Sequence, residues 1–234
     1  MSVITALTAQ NTVTVAAIYP VSPNFIAAQI DAVMEDIGVD AVKIGMLHTP
    51  EVIRVVAERL QHYEAPNIVL DPVMVAKSGD KLLQDDAIEA LRSVLIPIAT
   101  VITPNIPEAS VLLGEPIENP DQMADAARKL AATGPRAVLL KGGHLKSKKS
   151  LDVLYLREDN RIRYLEAERV STRNTHGTGC TLSSAIASFL AKGKVLEEAI
   201  CKAKTYITKA LNAGANYRLG NGHGPVHHFY SFWE

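Results

Sequence analysis

The segment that ends in Cys180 carries the side chains and the spacing most suited to chemistry in this chain. It places a threonine between two glycines, Gly177-Thr178-Gly179, and continues from the cysteine into an apolar helical run. Glycines allow a sharp turn and a close approach to a ligand, and the N–H groups at a helix start attract anions such as phosphate. The structural alternative is an ordinary turn that leads into a helix, and the glycines alone do not distinguish it from an anion-binding site.

A thiol at this position has a chemical use. The helix dipole and the N–H groups of a first turn stabilise a thiolate. Cys180 is therefore our candidate for the general base that removes a proton from a substrate hydroxyl. The structural alternative is that Cys180 is a small, nearly apolar residue that packs the start of the helix.

Polar residues also follow two short apolar runs that we predict to be buried strands. Asp71 follows the run 67–70 and precedes a proline; it could hold the magnesium ion of a bound phosphate, or simply begin an Asp-Pro turn. Lys141 and Gly142 follow the run 137–140 and are succeeded by Gly143 and His144. A lysine beside glycines suits a cation directed at phosphate, whereas a lysine that extends its head to solvent before a turn is the alternative.

Asn105 and Glu108 follow a third apolar run, 100–102, at a predicted helix start. At a spacing of three residues, both side chains can face one point. Mg²⁺ prefers oxygen ligands and keeps several waters, so an amide and a carboxylate that act partly through water suit it. The structural alternative is that Asn105 caps the helix and Glu108 occupies its first turn.

Together these groups supply what phosphoryl transfer requires: oxygen ligands for magnesium, a lysine for the phosphates, an anion hole and a base. Because open α/β sheets bind ligands at the carboxyl ends of their strands, we expect Asp71, Asn105, Glu108 and Lys141 to converge in one cleft. The sequence contains neither a Gly-x-Gly-x-x-Gly motif nor a P-loop motif, which weighs against sites of those two kinds.

The elements that must position these residues alternate along the chain. Apolar runs at 40–44, 67–70, 100–102 and 137–140 predict buried strands, and apolar residues at helical spacing lie between them. An antiparallel hairpin is predicted from 151–157 and 161–168, with its turn at Asp159-Asn160, and helices are predicted at 181–190 and 196–212. This order predicts an α/β fold with a mainly parallel, doubly wound sheet flanked by helices. We also expect residues 1–5 to lie in a strand.

Composition limits the class of protein. A length of 234 residues predicts a single domain that spans 1–234. The net charge of -1 argues against a nucleic-acid-binding protein, and the one basic cluster, Lys146, Lys148 and Lys149, fits a solvated hairpin tip. Two cysteines exclude a disulfide framework and favour a cytoplasmic location. No apolar stretch has the length of a membrane span.

In combination, the motifs resemble those of the hydroxymethylpyrimidine/phosphomethylpyrimidine kinases of thiamine biosynthesis, a branch of the ribokinase-like superfamily. The resemblance covers essentially the whole chain. It rests on four segments: Asp71-Pro72-Val73-Met74, Asn105-x-x-Glu108, Lys141-Gly142-Gly143-His144 and Asn174-Thr175-His176-Gly177-Thr178-Gly179-Cys180. Many sugar kinases of that superfamily carry an aspartate where this chain has Cys180, whereas a cysteine points to the pyrimidine kinases and the related pyridoxal kinases.

The resemblance implies an activity and a set of site residues. The activity is ATP-dependent phosphorylation of 4-amino-5-hydroxymethyl-2-methylpyrimidine and of its monophosphate, with Mg²⁺ as cofactor. The resemblance places Asn105 and Glu108 at the magnesium ion, and Asp71, Lys141 and Gly142 at the ATP phosphates. It places Gly177, Thr178 and Gly179 in the anion hole. It places Gln10, Met46 and Val73 in the pyrimidine pocket. The carboxamide of Gln10 offers a donor and an acceptor that complement an aminopyrimidine; a glutamine that closes a strand is the alternative.

Two further expectations concern the start of the chain and the competing functions. Members of the family begin with a strand, a Gly-rich turn and a helix, all before the segment that begins here at Met1. Without them we expect uncovered apolar surface, and hence a homo-oligomer or a marginally stable chain. The competing functions are a pyridoxal kinase, which acts on a similar hydroxymethyl group, and a pseudokinase that binds without turnover.

Overall fold

The computed structural model describes residues 1–74, 83–143, 145 and 149–233. Within this part of the chain, six strands form one sheet in the order β3-β4-β5-β6-β7-β8, and two form a separate hairpin. The strands are β1 (Ala6–Gln10), β2 (Val15–Pro20), β3 (Val42–Ile44), β4 (Ile68–Leu70), β5 (Val101–Ile102), β6 (Ala137–Lys141), β7 (Lys149–Leu156) and β8 (Arg161–Glu168). Strands β3 to β6 are parallel, and β7 and β8 each run antiparallel to the strand before them.

Helices connect most of the strands. They are α1 (Pro23–Asp36), α2 (Pro50–His62), α3 (Asp85–Ala90), α4 (Ile106–Leu113), α5 (Pro120–Ala131), α6 (Thr178–Ala191) and α7 (Leu196–Gly214). A π-helical turn, Leu91–Leu95, and a 3-10 turn, Ile96–Ile98, carry the chain from α3 to β5. In the described part of the chain, no helix combines the length and the apolar character needed to cross a bilayer.

The alternation of side chains along the strands divides the core into two layers. On β6, Val138 and Leu140 pack in the cluster that includes α1 to α5, whereas Ala137 and Leu139 pack in the cluster of α6 and α7. All four side chains are fully buried, as expected for a strand covered on both faces. The predicted α/β fold, with a mainly parallel sheet and helices on both faces, is confirmed.

The predicted strands are present with small differences in their ends. The strand predicted at 40–44 is shorter, because only Val42–Ile44 pairs with β4. The predicted antiparallel hairpin corresponds to β7 and β8, and its turn contains Asn160 with a φ of 48°. Asparagine tolerates this left-handed conformation better than most residues, which explains the position of the turn.

The prediction of a strand over residues 1–5 is wrong, because β1 begins at Ala6. The N–H of Ile4 donates to the side-chain oxygen of Gln29 at 2.9 Å, and the Gln29 amide donates to the Ile4 carbonyl at 3.1 Å. The carboxamide on α1 thus satisfies both backbone groups of Ile4. Backbone groups that a side chain satisfies do not require a partner strand.

The β1–β2 hairpin pairs with itself rather than with the main sheet, and most of its residues are exposed. Leu7 is 56% exposed and Tyr19 71%. The hairpin tip is held by the C-terminal tail: Thr12 accepts hydrogen bonds from the N–H of Gly222 at 3.2 Å, through its hydroxyl, and from that of His223 at 2.9 Å, through its carbonyl. A Cβ at Gly222 would lie 1.8 Å from the Thr12 carbonyl oxygen, so the contact requires glycine.

Candidate active site

The carboxyl ends of neighbouring strands bring the predicted phosphate-site residues to one edge of the sheet. Asp71 directly follows β4, Asn105 lies shortly after β5, and Lys141 is the last residue of β6. Asn105 and Lys141 form an isolated parallel bridge, which extends the β5–β6 pairing towards the loop. Parallel pairing therefore places these three residues side by side.

A buried ion pair lies at the centre of this cluster. Lys141 Nζ is 2.8 Å from Asp71 Oδ1 and also donates to the carbonyl oxygen of Thr103 at 2.5 Å. The Thr103 hydroxyl donates to Asp71 Oδ1 at 3.0 Å. The Lys141 side chain is 15% exposed and that of Asp71 3%. Burial by itself lowers the pKa of Lys141, but the carboxylates of Asp71 and Glu108 outweigh burial and leave the pKa raised.

Asn105 and Glu108 form a capping box at the start of α4. The N–H of Glu108 donates to Asn105 Oδ1 at 2.9 Å, and the N–H of Asn105 donates to Glu108 Oε2 at 2.7 Å. The structural alternative for this pair is therefore realised. Glu108 nevertheless belongs to the cluster, since it is 3% exposed and interacts electrostatically with Lys141 and Asp71. The four residues therefore lie together at this edge of the sheet, as the sequence predicted.

Burial raises the pKa of Glu108 from 4.5 to about 7, against the opposing effects of Lys141 and the N–H of Asn105. Between these two values the folded protein binds a proton that the unfolded chain has lost, so stability should fall as the pH rises through this window. We expect Glu108→Gln to remove that loss, which amounts to roughly 3 kcal/mol. Urea unfolding at a series of pH values from mildly acidic to mildly basic measures this change in the free energy of unfolding, with Glu118→Gln, at an exposed residue, as the control. Wild-type pH dependence in Glu108→Gln would contradict the prediction.

Most of the atoms in this cluster that could coordinate a cation are oxygens. Among the described residues, no group of three or more His, Cys, Asp or Glu side chains could hold a metal ion by itself. Asp71 Oδ1 already accepts two hydrogen bonds, and the capping box uses Asn105 Oδ1 and Glu108 Oε2. The donor set therefore fits a hydrated Mg²⁺ that takes its other ligands from phosphate oxygens.

The glycine motif forms the first turn of α6. Gly177 is the N-cap residue, in a left-handed conformation with a φ of 78° that favours glycine. The Thr178 hydroxyl donates to the carbonyl of Thr175 at 2.7 Å. The prediction that this helix begins at residue 181 is wrong, because it begins at Thr178. Cys180 consequently lies inside the first turn and is exposed.

The start of α6 packs against the buried ion pair. A Cβ at Gly179 would lie 3.5 Å from Lys141 Nζ and 3.6 Å from Asp71 Oδ2. Ser183 is fully buried one turn later; its hydroxyl lies 3.5 Å from Asp71 Oδ2 and 3.1 Å from the Gly179 carbonyl. An anion bound at this helix start would therefore be close to the Lys141 ammonium group.

Two residues of this cluster, Thr103 and Ser183, were missed from the sequence. Thr103 is the first residue after β5, the same position that Asp71 occupies after β4. Ser183 lies four residues after Gly179 and therefore on the same face of α6. In both cases the only signal is the position of the residue relative to the end of a strand or the start of a helix, and these boundaries could not be located accurately from the sequence.

Gly142 has a different environment from the other phosphate-site residues. Its N–H donates to Asp152 Oδ1 at 3.0 Å inside the protein, so this donor is already used. The predicted role of Gly142 at the phosphates therefore reduces to shaping the turn that follows Lys141. The residues of the predicted motif and basic cluster that lie outside the described residues are His144, Lys146 and Lys148.

The three residues predicted to line the substrate pocket come from separate segments. Met46 follows β3 and Val73 follows β4, and these parallel neighbours end at the same edge of the sheet. Gln10 is the last residue of β1, exposed on the hairpin. The Thr5 hydroxyl donates to the Met46 carbonyl at 3.2 Å, which joins the segment before β1 to the loop after β3. The structure thus brings Met46 and Val73 to the site edge and leaves Gln10 on the hairpin.

Fold and site define a class of protein: an α/β kinase, in which a buried lysine and oxygen ligands at strand ends face the start of a helix, the groups that phosphoryl transfer requires. The sequence profile of the phosphomethylpyrimidine kinase family matches residues 1–227. Over 233 residues the chain is 48% identical to the hydroxymethylpyrimidine/phosphomethylpyrimidine kinase of Salmonella typhimurium, an alignment that covers 99% of this chain and 87% of that protein. The chain belongs to the phosphomethylpyrimidine kinase family.

Solved structures agree with this assignment. The crystal structure of phosphomethylpyrimidine kinase from Clostridium difficile has a TM-score of 0.80 and 45% identity, covering 90% of this chain and 86% of that one. An ADP complex of Bacillus subtilis pyridoxal kinase has a TM-score of 0.90 and 38% identity, covering 99% of this chain and 86% of that one. The fold is ribokinase-like, as the sequence predicted.

Proposed function

We propose that this chain catalyses the ATP-dependent phosphorylation of 4-amino-5-hydroxymethyl-2-methylpyrimidine, and then of its monophosphate to the diphosphate, in thiamine biosynthesis. The observation that carries the proposal is the packing of the first turn of α6, which contains Cys180, against the buried pair of Lys141 and Asp71. Family membership supports the choice of acceptor, because the relatives are named for these two pyrimidines. In this proposal residues 1–234 act as one kinase domain in the cytoplasm.

The residues of the site divide the work of the transfer. The N–H groups of Gly177, Thr178 and Gly179 bind the transferred phosphoryl group as an anion hole, and Lys141 neutralises the charge that develops on it. Cys180 acts as the general base that takes the proton of the substrate hydroxyl. The hydroxyl oxygen then bonds to the γ-phosphorus while the bond from that phosphorus to the ADP oxygen breaks.

Asp71, Asn105 and Glu108 would hold a hydrated Mg²⁺ beside the ATP phosphates. When bound, such an ion neutralises the phosphate oxygens. The capping box fixes Asn105 and Glu108 with respect to α4, and Asp71 keeps Lys141 beside the start of α6. These residues would therefore hold the ATP phosphates beside the start of α6.

Recognition of the pyrimidine is assigned to Gln10, Met46 and Val73. The Gln10 carboxamide pairs its donor and acceptor with a ring nitrogen and the amino group, and the other two side chains provide apolar contact with the ring. Because Gln10 lies on the hairpin whose tip is held at Thr12, recognition depends on the docked position of the hairpin.

Turnover with three acceptors tests the proposed function. A coupled assay for ADP should show ATP-dependent phosphorylation of the pyrimidine alcohol and of its monophosphate, each with a higher kcat/KM than pyridoxal. Turnover of pyridoxal alone would replace the proposal with a pyridoxal kinase, the function favoured by the similarity to the Bacillus subtilis structure. ATP binding without turnover of any acceptor would make the chain a pseudokinase.

We also propose that the chain forms a homo-oligomer through the β1–β2 hairpin. An isolated two-stranded hairpin is marginal in water, and exposed apolar side chains such as Leu7 and Tyr19 mark interfaces. Light scattering should give a multiple of the 25.3 kDa chain mass, and the double variant Leu7→Ser/Tyr19→Ser should be monomeric. Ile37→Ser, at an exposed apolar residue after α1, is the control. A monomeric wild-type protein would refute this.

A further inference from the structure

Asp152 is a buried carboxylate next to the site that the transfer mechanism leaves unused. It lies on β7, directly opposite Lys141 of β6 in the antiparallel register, and is 3% exposed. Asp152 Oδ1 accepts the N–H of Gly142 at 3.0 Å, and Oδ2 lies 2.6 Å from Lys204 Nζ. One carboxylate thus joins the turn after Lys141 to helix α7.

The turn at Gly142 leaves no room for a side chain. A Cβ at Gly142 would lie 2.0 Å from the Leu151 carbonyl oxygen and 2.9 Å from Met123 Cε. The backbone of β7 lies against this glycine on one side, and the Asp152 carboxylate holds its N–H. The peptide that follows Lys141 therefore has its position fixed by two neighbouring residues of β7.

Lys204 provides the ion-pair partner of the buried Asp152 carboxylate. Its ammonium group pairs with Asp152, and the side chains of Lys204 and Asp152 are 12% and 5% exposed. The ammonium group also donates to the Ser150 hydroxyl at 3.2 Å. A buried carboxylate without a partner is costly, so the ion pair with Lys204 offsets the cost of burying Asp152 and holds its side chain in place. A second ion pair therefore stands beside the pair of Lys141 and Asp71.

We propose that Asp152 is a positioning residue for phosphoryl transfer: by accepting the N–H of Gly142 it fixes the backbone from which Lys141 reaches the phosphates, and Lys204 holds Asp152 in that position. Asp152 acts through Lys141 and has no contact with substrate in this scheme. The inference rests on the proposed kinase function for its catalytic readout. It assigns α7 a role in the site through Lys204.

Two double variants separate the hydrogen bond from the charge. Asp152→Asn/Lys204→Met and Asp152→Ala/Lys204→Met both lack the ion pair, but only the asparagine variant keeps a side-chain oxygen for the N–H of Gly142. We expect the alanine variant to have a kcat about tenfold lower than the asparagine variant, because small displacements of a catalytic group are costly. We expect KM for the pyrimidine to be the same in both, since Asp152 is on the phosphate side.

The affinity for ATP, measured by titration calorimetry, supplies a readout that does not need turnover. It should be about threefold weaker in the alanine variant, because Lys141 loses its alignment with the phosphates. Thermal unfolding of both variants shows whether they fold alike. Equal kcat and equal ATP affinity in two folded variants would overturn the inference. Wild-type protein without kinase activity would refute the proposed function, and the ATP affinities would then decide the role of Asp152.

Discussion

Replacing Cys180 with alanine should lower kcat for both phosphorylation steps by about tenfold to a hundredfold, or roughly 1.4–2.7 kcal/mol of transition-state stabilisation. The reason is the position of the thiol in the first turn of α6, where its sulfur can accept the proton of the substrate hydroxyl beside the anion hole. The affinity for ATP should change little, because the anion hole uses backbone N–H groups. Steady-state kinetics with each pyrimidine and a separate ATP titration measure the two effects.

The second cysteine provides the matched control for this experiment. Cys201 lies on α7, packed against the cluster formed by α6 and α7, and Cys201→Ala should retain wild-type kcat. Cys180→Asp, which restores a base, should recover part of the activity lost in Cys180→Ala. Near-full turnover in Cys180→Ala would show that the thiol only packs the helix start, and the base would have to be another group.

Replacing Lys141 with methionine should affect both stability and activity. Removing one partner of a buried ion pair leaves Asp71 charged and unpaired, which costs about 3–5 kcal/mol of folding free energy. The loss of the ammonium group should also lower kcat by about a hundredfold or more. Denaturant unfolding and the coupled assay measure the two effects on the same preparation.

A double variant separates these two effects. In Lys141→Met/Asp71→Asn the buried charge is gone and the asparagine still accepts from Thr103, so most of the stability should return while kcat stays low. Lys129→Met is the control, because its partner is Glu115 and both side chains are about half exposed; exposed pairs contribute at most about 1 kcal/mol. A stable and active Lys141→Met protein would show that the ammonium group has neither role.

Local patterns were sufficient for most of the fold. The runs 67–70 and 137–140 predicted strands because a strand covered on both faces needs apolar side chains on both. The start of α6 was misplaced for an equally physical reason: Gly179 is unfavourable inside a helix, so the pattern favoured a start after the glycines. Packing of the first turn against Lys141 outweighs that local preference.

The site was predictable where a residue's own position carried the signal, as with Asp71 and Lys141 at strand ends. It was not predictable where the role depends on a partner distant in sequence. The bond of Thr103 to Asp71 spans 32 residues, and the contact of Ser183 with Asp71 spans 112. Asp152 was missed for the same reason, since its role follows from strand register rather than from a motif.

The contact between the hairpin tip and the tail has a consequence for the order in which the protein assembles. Thr12 and Gly222 are separated by 210 residues, and ribosomes synthesise the amino-terminal side first. Loop closure over such a separation comes only after most of the chain exists, and long-range contacts of this kind slow folding. The hairpin that presents Gln10 is thus made well before the tail that holds its tip, and the contact between the two forms late in folding.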